Sequence, residues 1–154
     1  MKIIEAEGES DYAAARDLIA AYQRWLGVDL EFQGFSKELE TLSVMYGPPD
    51  GAMLLAEEGG VWVGCVGLRR LGEGDAEMKR MFVLPAYQGK GIGSKLTEEF
   101  ITIARRLGYR AIRLDTVPRL DRAMRIYEGA GFTRISPYRH NPDPDAVFME
   151  LRLG

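Results

Sequence analysis

The sequence predicts an α/β protein: a mixed sheet with helices on both faces, in the order β-α-α-β-β-β-α-β-α-β. Three observations carry this expectation. Apolar runs separated by glycine-rich turns read as consecutive antiparallel strands in the first half of the chain. Segments with apolar residues at three- and four-residue steps alternate with strands in the second half. Between a strand and a helix of that second half lies the run Gln88-Gly89-Lys90-Gly91-Ile92-Gly93.

The elements follow in chain order. Lys2–Glu5 is a short first strand. Ser10 or Asp11 caps a helix to about Leu26, because Ala15, Leu18, Ile19, Tyr22 and Leu26 share one face, and Gly27 stops it. Leu30–Phe35 is aromatic, contains a glycine and reads as a loop. Ser36 opens a shorter helix to about Leu42, and Gly47-Pro48-Pro49-Asp50-Gly51 is a turn. Ala52–Glu57 and Val61–Leu71 flank the hairpin signal Glu58-Gly59-Gly60. Asp75–Leu84 is the next strand. After the glycine turn, Ile92, Leu96, Phe100, Ile103 and Leu107 align on a helix that Gly108 closes. Arg110–Thr116 alternates as a strand, and Arg119–Ala130 aligns Leu120, Ala123, Met124 and Tyr127 as a helix. Gly131-Phe132 restarts an extended segment, Pro137–Asp145 is a loop, and Ala146–Leu153 is the last strand. The unit Asp75–Thr116 is expected to cross over right-handed and pair in parallel.

Composition narrows the function classes. A chain of 154 residues is expected to form a single domain with its own core. A net charge of −3 with dispersed basic residues argues against nucleic acid as a partner. No apolar run approaches the ~20 residues that span a bilayer, and Met1–Glu5 lacks a signal-peptide core, so a cytoplasmic protein with no membrane partner is expected. One cysteine, Cys65, and one histidine, His140, exclude a disulfide within the chain and make a zinc site improbable. Oligomeric state is left open, a homodimer included.

The glycine turn carries the chemistry. Backbone N–H groups at the positive end of a helix dipole suit a phosphate or pyrophosphate, and no proline removes a donor between Pro85 and Pro118. Leu96 stands where a dinucleotide fingerprint needs its third glycine, and no window fits a Walker A loop. What remains is Q-x-x-G-x-G, which resembles the pyrophosphate arm of enzymes that use acetyl-coenzyme A.

With three features in hand, the chain resembles the GCN5-related N-acetyltransferase (GNAT) superfamily. Val83-Leu84-Pro85-Ala86-Tyr87-Gln88-Gly89-Lys90-Gly91-Ile92-Gly93-Ser94-Lys95-Leu96 is similar to the family's motif A. Ala123-Met124-Arg125-Ile126-Tyr127-Glu128-Gly129-Ala130-Gly131-Phe132 is similar to its motif B, and Glu77 stands where several members carry a general-base glutamate. Leu120 departs from the pattern, since many members place a cofactor-touching asparagine there. The resemblance runs from about residue 52 to the end; the first fifty residues match only in having two helices after a first strand.

The resemblance implies a GNAT-like fold and acetyl transfer from acetyl-CoA to a primary amine of a small molecule or peptide terminus, by direct attack in a ternary complex. A non-catalytic acyl-CoA sensor on the same fold is the alternative. It implies that main-chain amides of Gln88, Gly89, Lys90, Gly91, Ile92, Gly93 and Ser94 hold the pyrophosphate. It also implies that Met81, Phe82 and Val83 offer main-chain groups to the pantetheine arm. Tyr127 would donate a proton to the departing thiolate; the competing reading is a packed core tyrosine. Glu77 would deprotonate the amine; the competing reading is a solvated glutamate paired with Lys79 or Arg80. Arg69, Arg70 and Arg80 are candidates for holding an anionic group of the acceptor, or else form a solvated face. Tyr22, Trp25, Phe32 and Phe35 are candidates for the acceptor pocket.

Overall fold

The computed structural model describes residues 1–27 and 34–154. Its strands build one seven-stranded mixed sheet. β1 (Lys2–Glu5), β2 (Ala52–Glu58), β3 (Val61–Gly72) and β4 (Asp75–Val83) follow one another as antiparallel neighbours. β5 (Ala111–Thr116) pairs parallel to β4, and β6 (Thr133–Ile135) and β7 (Val147–Arg152) complete the order β1-β2-β3-β4-β5-β7-β6. The β2–β3 hairpin turns through Gly59 and Gly60 at φ 57° and 83°. Two successive left-handed residues match the right-handed twist of the strands, and glycine adopts them without steric cost.

The helices are α1 (Gly8–Leu26), α2 (Phe35–Glu40), α3 (Leu42–Met45), α4 (Ile92–Arg106) and α5 (Asp121–Gly129). Every residue of Ala52–Ala56 is buried, yet neighbours point to opposite faces. Leu54 and Ala56 join Leu96, Phe100 and Met124 in one core, on the α4–α5 side. Met53 and Leu55 join Leu18, Ile19 and Leu42 in a second core, on the α1–α3 side. Burial on both faces is why this strand reads as a continuous apolar run.

The expected element order holds, with two refinements. The second helix breaks at Thr41, whose backbone (φ −127°, ψ 28°) leaves the helical region while its hydroxyl donates to Lys37 O at 2.9 Å. The extended restart after Gly131 becomes β6, a three-residue edge strand paired only to β7. Three residues carry too little periodicity to be read as a strand. No helix among the described residues is long and apolar enough to cross a membrane.

Candidate functional site

The site begins with a break in the sheet. β4 and β5 pair over only three positions, ending at Glu77↔Arg113, although β4 continues to Val83 and β5 to Thr116. The cause lies in β4. On β3, Cys65 faces Phe82 and Gly67 faces Lys79, so Val66 stands opposite both Arg80 and Met81. That extra residue is a β-bulge, which bends its strand. Arg80 takes φ 60°, the one left-handed non-glycine residue among those described. Such a conformation costs roughly 1–3 kcal/mol and persists only when its surroundings enforce it. Here the Arg80 guanidinium donates two hydrogen bonds to Glu38 of α2, at 2.8 and 2.9 Å, and lies 5.4 Å from the Phe35 ring centroid. The bidentate ion pair, 4% and 2% exposed, anchors the bulge from behind.

The widening gap holds a cavity of about 900 Å³ that extends to the glycine turn. At the turn, Gly89 and Gly91 adopt φ 79° and 87°. Gly91 caps α4 with no side-chain hydrogen bond, and Lys95 N to Gly91 O closes the first helical turn. The amides of Ile92, Gly93 and Ser94 therefore stand ahead of the hydrogen-bonded ladder, at the positive end of the helix dipole. A Cβ on Gly93 would lie 2.9 Å from Ile126 Cδ1, so glycine lets α4 start tight against α5. Gln88 ties the turn to the strand: its Nε2 donates to Val83 O at 2.9 Å, and its Oε1 accepts from Arg122 at 3.4 Å.

Tyr127 lines the cavity from α5 and is 6% exposed. Among the described residues none hydrogen-bonds to its hydroxyl. Burial, with smaller contributions from Tyr22 and Asp115, pushes its phenol well above the ordinary value. It therefore keeps its proton at neutral pH. On the opposite wall, Tyr22 and Trp25 of α1 pack on Phe82, with ring centroids 5.4 and 5.6 Å away. Burial also raises the Tyr22 phenol.

The cavity brings together Tyr22, Trp25, Arg80, Met81, Phe82, Val83, Gln88, Gly89, Gly91, Ile92, Gly93, Ser94 and Tyr127 from the sequence expectations. Among the described residues, the other expected ones lie off its lining. Glu77 does not line it. It is fully buried: Arg69 Nε donates to one oxygen at 2.8 Å, Tyr138 OH to the other at 2.8 Å, and the Arg139 guanidinium closes on that second oxygen. A carboxylate occupied by three donors is not placed to meet an amine. Arg69 is thereby committed to Glu77, and Arg80 to Glu38, so neither guanidinium is available to an anionic acceptor. Phe35 is buried beneath Arg80 rather than facing the cavity. Lys90 is exposed over the Tyr87 ring, 5.3 Å from its centroid. Phe32 lies outside the described residues. His140, the other candidate base, is exposed and not part of the lining.

Sequence reasoning missed Lys79, Asp115 and Asn141, all of which line the cavity. Burial, followed by the charge of Arg80, pushes the Lys79 amine down to about 7. Asp115 had one available signal: it is a charged residue at the carboxyl end of a strand, where ligands of α/β sheets gather. Asn141 had none, because nothing local shows that the loop folds back over β5.

The comparisons agree with this geometry. Residues 14–132 match the family model described as Acetyltransferase (GNAT) family. An uncharacterized N-acetyltransferase of Schizosaccharomyces pombe is 41% identical over 139 residues, covering 89% of this chain and 85% of the relative. A GNAT-family acetyltransferase structure from Staphylococcus aureus superposes with a TM-score of 0.82 at 26% identity, covering 99% of both chains. A Salmonella typhimurium structure, described as an acetyltransferase with its cofactor acetyl-CoA, reaches a TM-score of 0.71 at 25% identity, covering 100% of this chain and 94% of that one.

Proposed function

The chain belongs to the GNAT family of acetyltransferases, and from that premise we propose that it moves an acetyl group from acetyl-CoA to a primary amine by direct attack. The observation that carries this reading is the parting of β4 from β5 beside an uncapped helix N-terminus. The two features form one continuous cavity, suited to a ligand with an amide-rich arm and a diphosphate.

The residues present fit acetyl-CoA. The amides of Gly89 to Ser94 would hold its diphosphate, and the unpaired edge of Met81–Val83 its pantetheine. When bound, it supplies an acetyl group activated as a thioester. Phe82, Tyr22 and Trp25 exclude water from one wall. The strand N–H groups of β4 left unpaired by β5 would stabilise negative charge developing on the carbonyl oxygen. Tyr127, neutral because it is buried, would donate a hydrogen bond to the departing sulfur. Its raised pKa disfavours a full proton transfer that would leave a buried tyrosinate. The buried pair Glu38–Arg80 fixes the bulge and thereby the edge. The cluster of Glu77, Arg69, Arg139 and Tyr138 braces β4 against the loop before β7.

Thiol release from acetyl-CoA with a panel of primary amines tests this proposal. Wild type turns over at least one amine. Tyr127→Phe lowers kcat about ten- to a hundredfold, with acetyl-CoA affinity retained. Tight cofactor binding with no transfer to any amine would overturn the amine reading. An unchanged kcat with chemistry rate-limiting would remove Tyr127 from the mechanism.

A further inference from the structure

Among the described residues Lys79 is the one buried lysine; Lys2, Lys37, Lys90 and Lys95 are exposed. We propose that Lys79 is a self-acetylation site: when no acceptor is present, its amine takes the acetyl group of bound acetyl-CoA and becomes an amide. This inference rests on the acetyl-transfer reading.

Strand register places the side chain. Lys79 stands opposite Gly67 of β3, and directly opposed residues of an antiparallel pair share a face. A Cβ on Gly67 would meet the ring of Tyr46, which belongs to the core on the α1–α3 side. Lys79 therefore rises on that side. Phe82 stands opposite Cys65, and both belong to the same core. Lys79 and Phe82 thus flank the bulge on one face. Lys79 also lies past Glu77, the last position at which β4 pairs with β5. It lines the cavity together with Tyr22, Met81, Phe82, Asp115 and Tyr127. The amine and the thioester would share one cavity, and an amine fixed to the wall needs no encounter from solution.

The surroundings keep that amine a nucleophile. Burial is the largest influence and Arg80 on β4 the next; both push it down, to about 7. Asp115 on β5 and Glu38 on α2 oppose this, and Arg69 on β3 adds to it. Glu38 is itself paired with Arg80, and Arg69 with Glu77. Tyr22 on α1 and Tyr127 on α5 keep their protons, since burial raises both phenols, so neither adds a charge. A desolvated lysine of this kind is an activated nucleophile. At pH 7 a large share of Lys79 holds a free lone pair, whereas an exposed lysine is neutral in roughly one chain of a few thousand.

The step needs nothing beyond the thioester. The lone pair of Lys79 Nζ forms the C–N bond as the C–S bond breaks. One nitrogen proton passes to the departing sulfur, and the products are acetylated Lys79 and free CoA thiol. An acceptor amine would consume the same thioester, so the modification belongs to the state with cofactor bound and acceptor absent.

Intact-mass measurement with peptide mapping tests this on wild type incubated with acetyl-CoA and no amine. One acetyl group per chain is expected, on Lys79, at a rate that saturates as acetyl-CoA fills its site and falls when CoA competes. The rate climbs with pH and levels off by about pH 8.5, whereas an ordinary lysine would still be gaining beyond about pH 10. Lys79→Arg, which keeps a cation but offers no amine, loses the adduct; Lys95→Arg keeps it. In protein without acetyl-CoA, limiting acetic anhydride at about pH 7 labels Lys79 at least about tenfold faster than Lys95. No adduct, an adduct spread over the exposed lysines, or a rate that never saturates overturns the inference. Anhydride labelling that ranks Lys79 with Lys95 overturns it too. Mapping locates the adduct in wild type, so the test stands even if Lys79→Arg does not fold. Wild type that acetylates an added amine but never itself overturns the inference and leaves the proposed function standing. Wild type that fails to bind acetyl-CoA refutes the proposed function itself.

Discussion

Lys79 illustrates how far one residue's chemistry depends on its neighbours. It is 6% exposed, and burial together with Arg80 brings its amine from an ordinary ~10.4 down to about 7. Between those values the unfolded chain holds a proton that the folded chain has released, so stability rises with pH through this window. The slope is at most about 1.4 kcal/mol per pH unit, and the cost is fully present below neutral pH. Lys79→Met removes that slope. Urea unfolding at about pH 7 and about pH 9.5 should show a smaller gain with pH in the variant than in wild type. Parallel profiles would mean that Lys79 keeps an ordinary amine. At this scale the residue types of the site were legible but their partners were not. Glu77 stands at the right place in the motif, yet its donors come from β3 and from residues 138–139. A sequence shows which groups can ionise; long-range contacts decide which of them are already paired.

Among the elements, β4 depends on two devices of different legibility. The glycine turn was readable because glycines at positive φ and a following apolar helix are local signals. The bulge was not, since nothing in Lys79-Arg80-Met81 marks an extra residue; it exists through its register against β3 and through the hold of Glu38 on Arg80. A similar dependence governs how α3 closes on the sheet. A Cβ on Gly67 of β3 would lie 2.8 Å from the ring of Tyr46, which is fully buried at the end of α3. A ring under backbone cannot yield as a flexible chain end can. Gly67→Ala should therefore cost about 1–3 kcal/mol by overpacking, measured as a lower urea midpoint with unchanged slope. A variant as stable as wild type would show that the α3 segment can move away from the sheet.

At the scale of the molecule, ligand binding and folding are linked, because the cavity is formed jointly by β4, β5, α4, α5 and α1. Acetyl-CoA at about a hundred times its Kd should stabilise the fold by roughly 2.7 kcal/mol. For a chain of this size that corresponds to a rise in Tm of roughly 5–10 °C. ATP at the same concentration should give a smaller shift, since neither nucleotide motif is present. Equal shifts would indicate a site that reads the phosphates alone.

The sequence by itself determined the strand and helix order, the antiparallel-then-parallel pairing and the glycine turn before α4. Each of these follows from periodicity or from backbone preferences within a few residues. Only the tertiary structure decided that Glu77 is enclosed, that Arg80 braces a bulge, and that Asp115 and Asn141 meet over the cavity. Those outcomes depend on contacts between residues far apart in the chain, such as Arg80 with Glu38 and Asn141 with Asp115. Local propensity carries no record of such meetings until the sheet has twisted and the loops have folded over it.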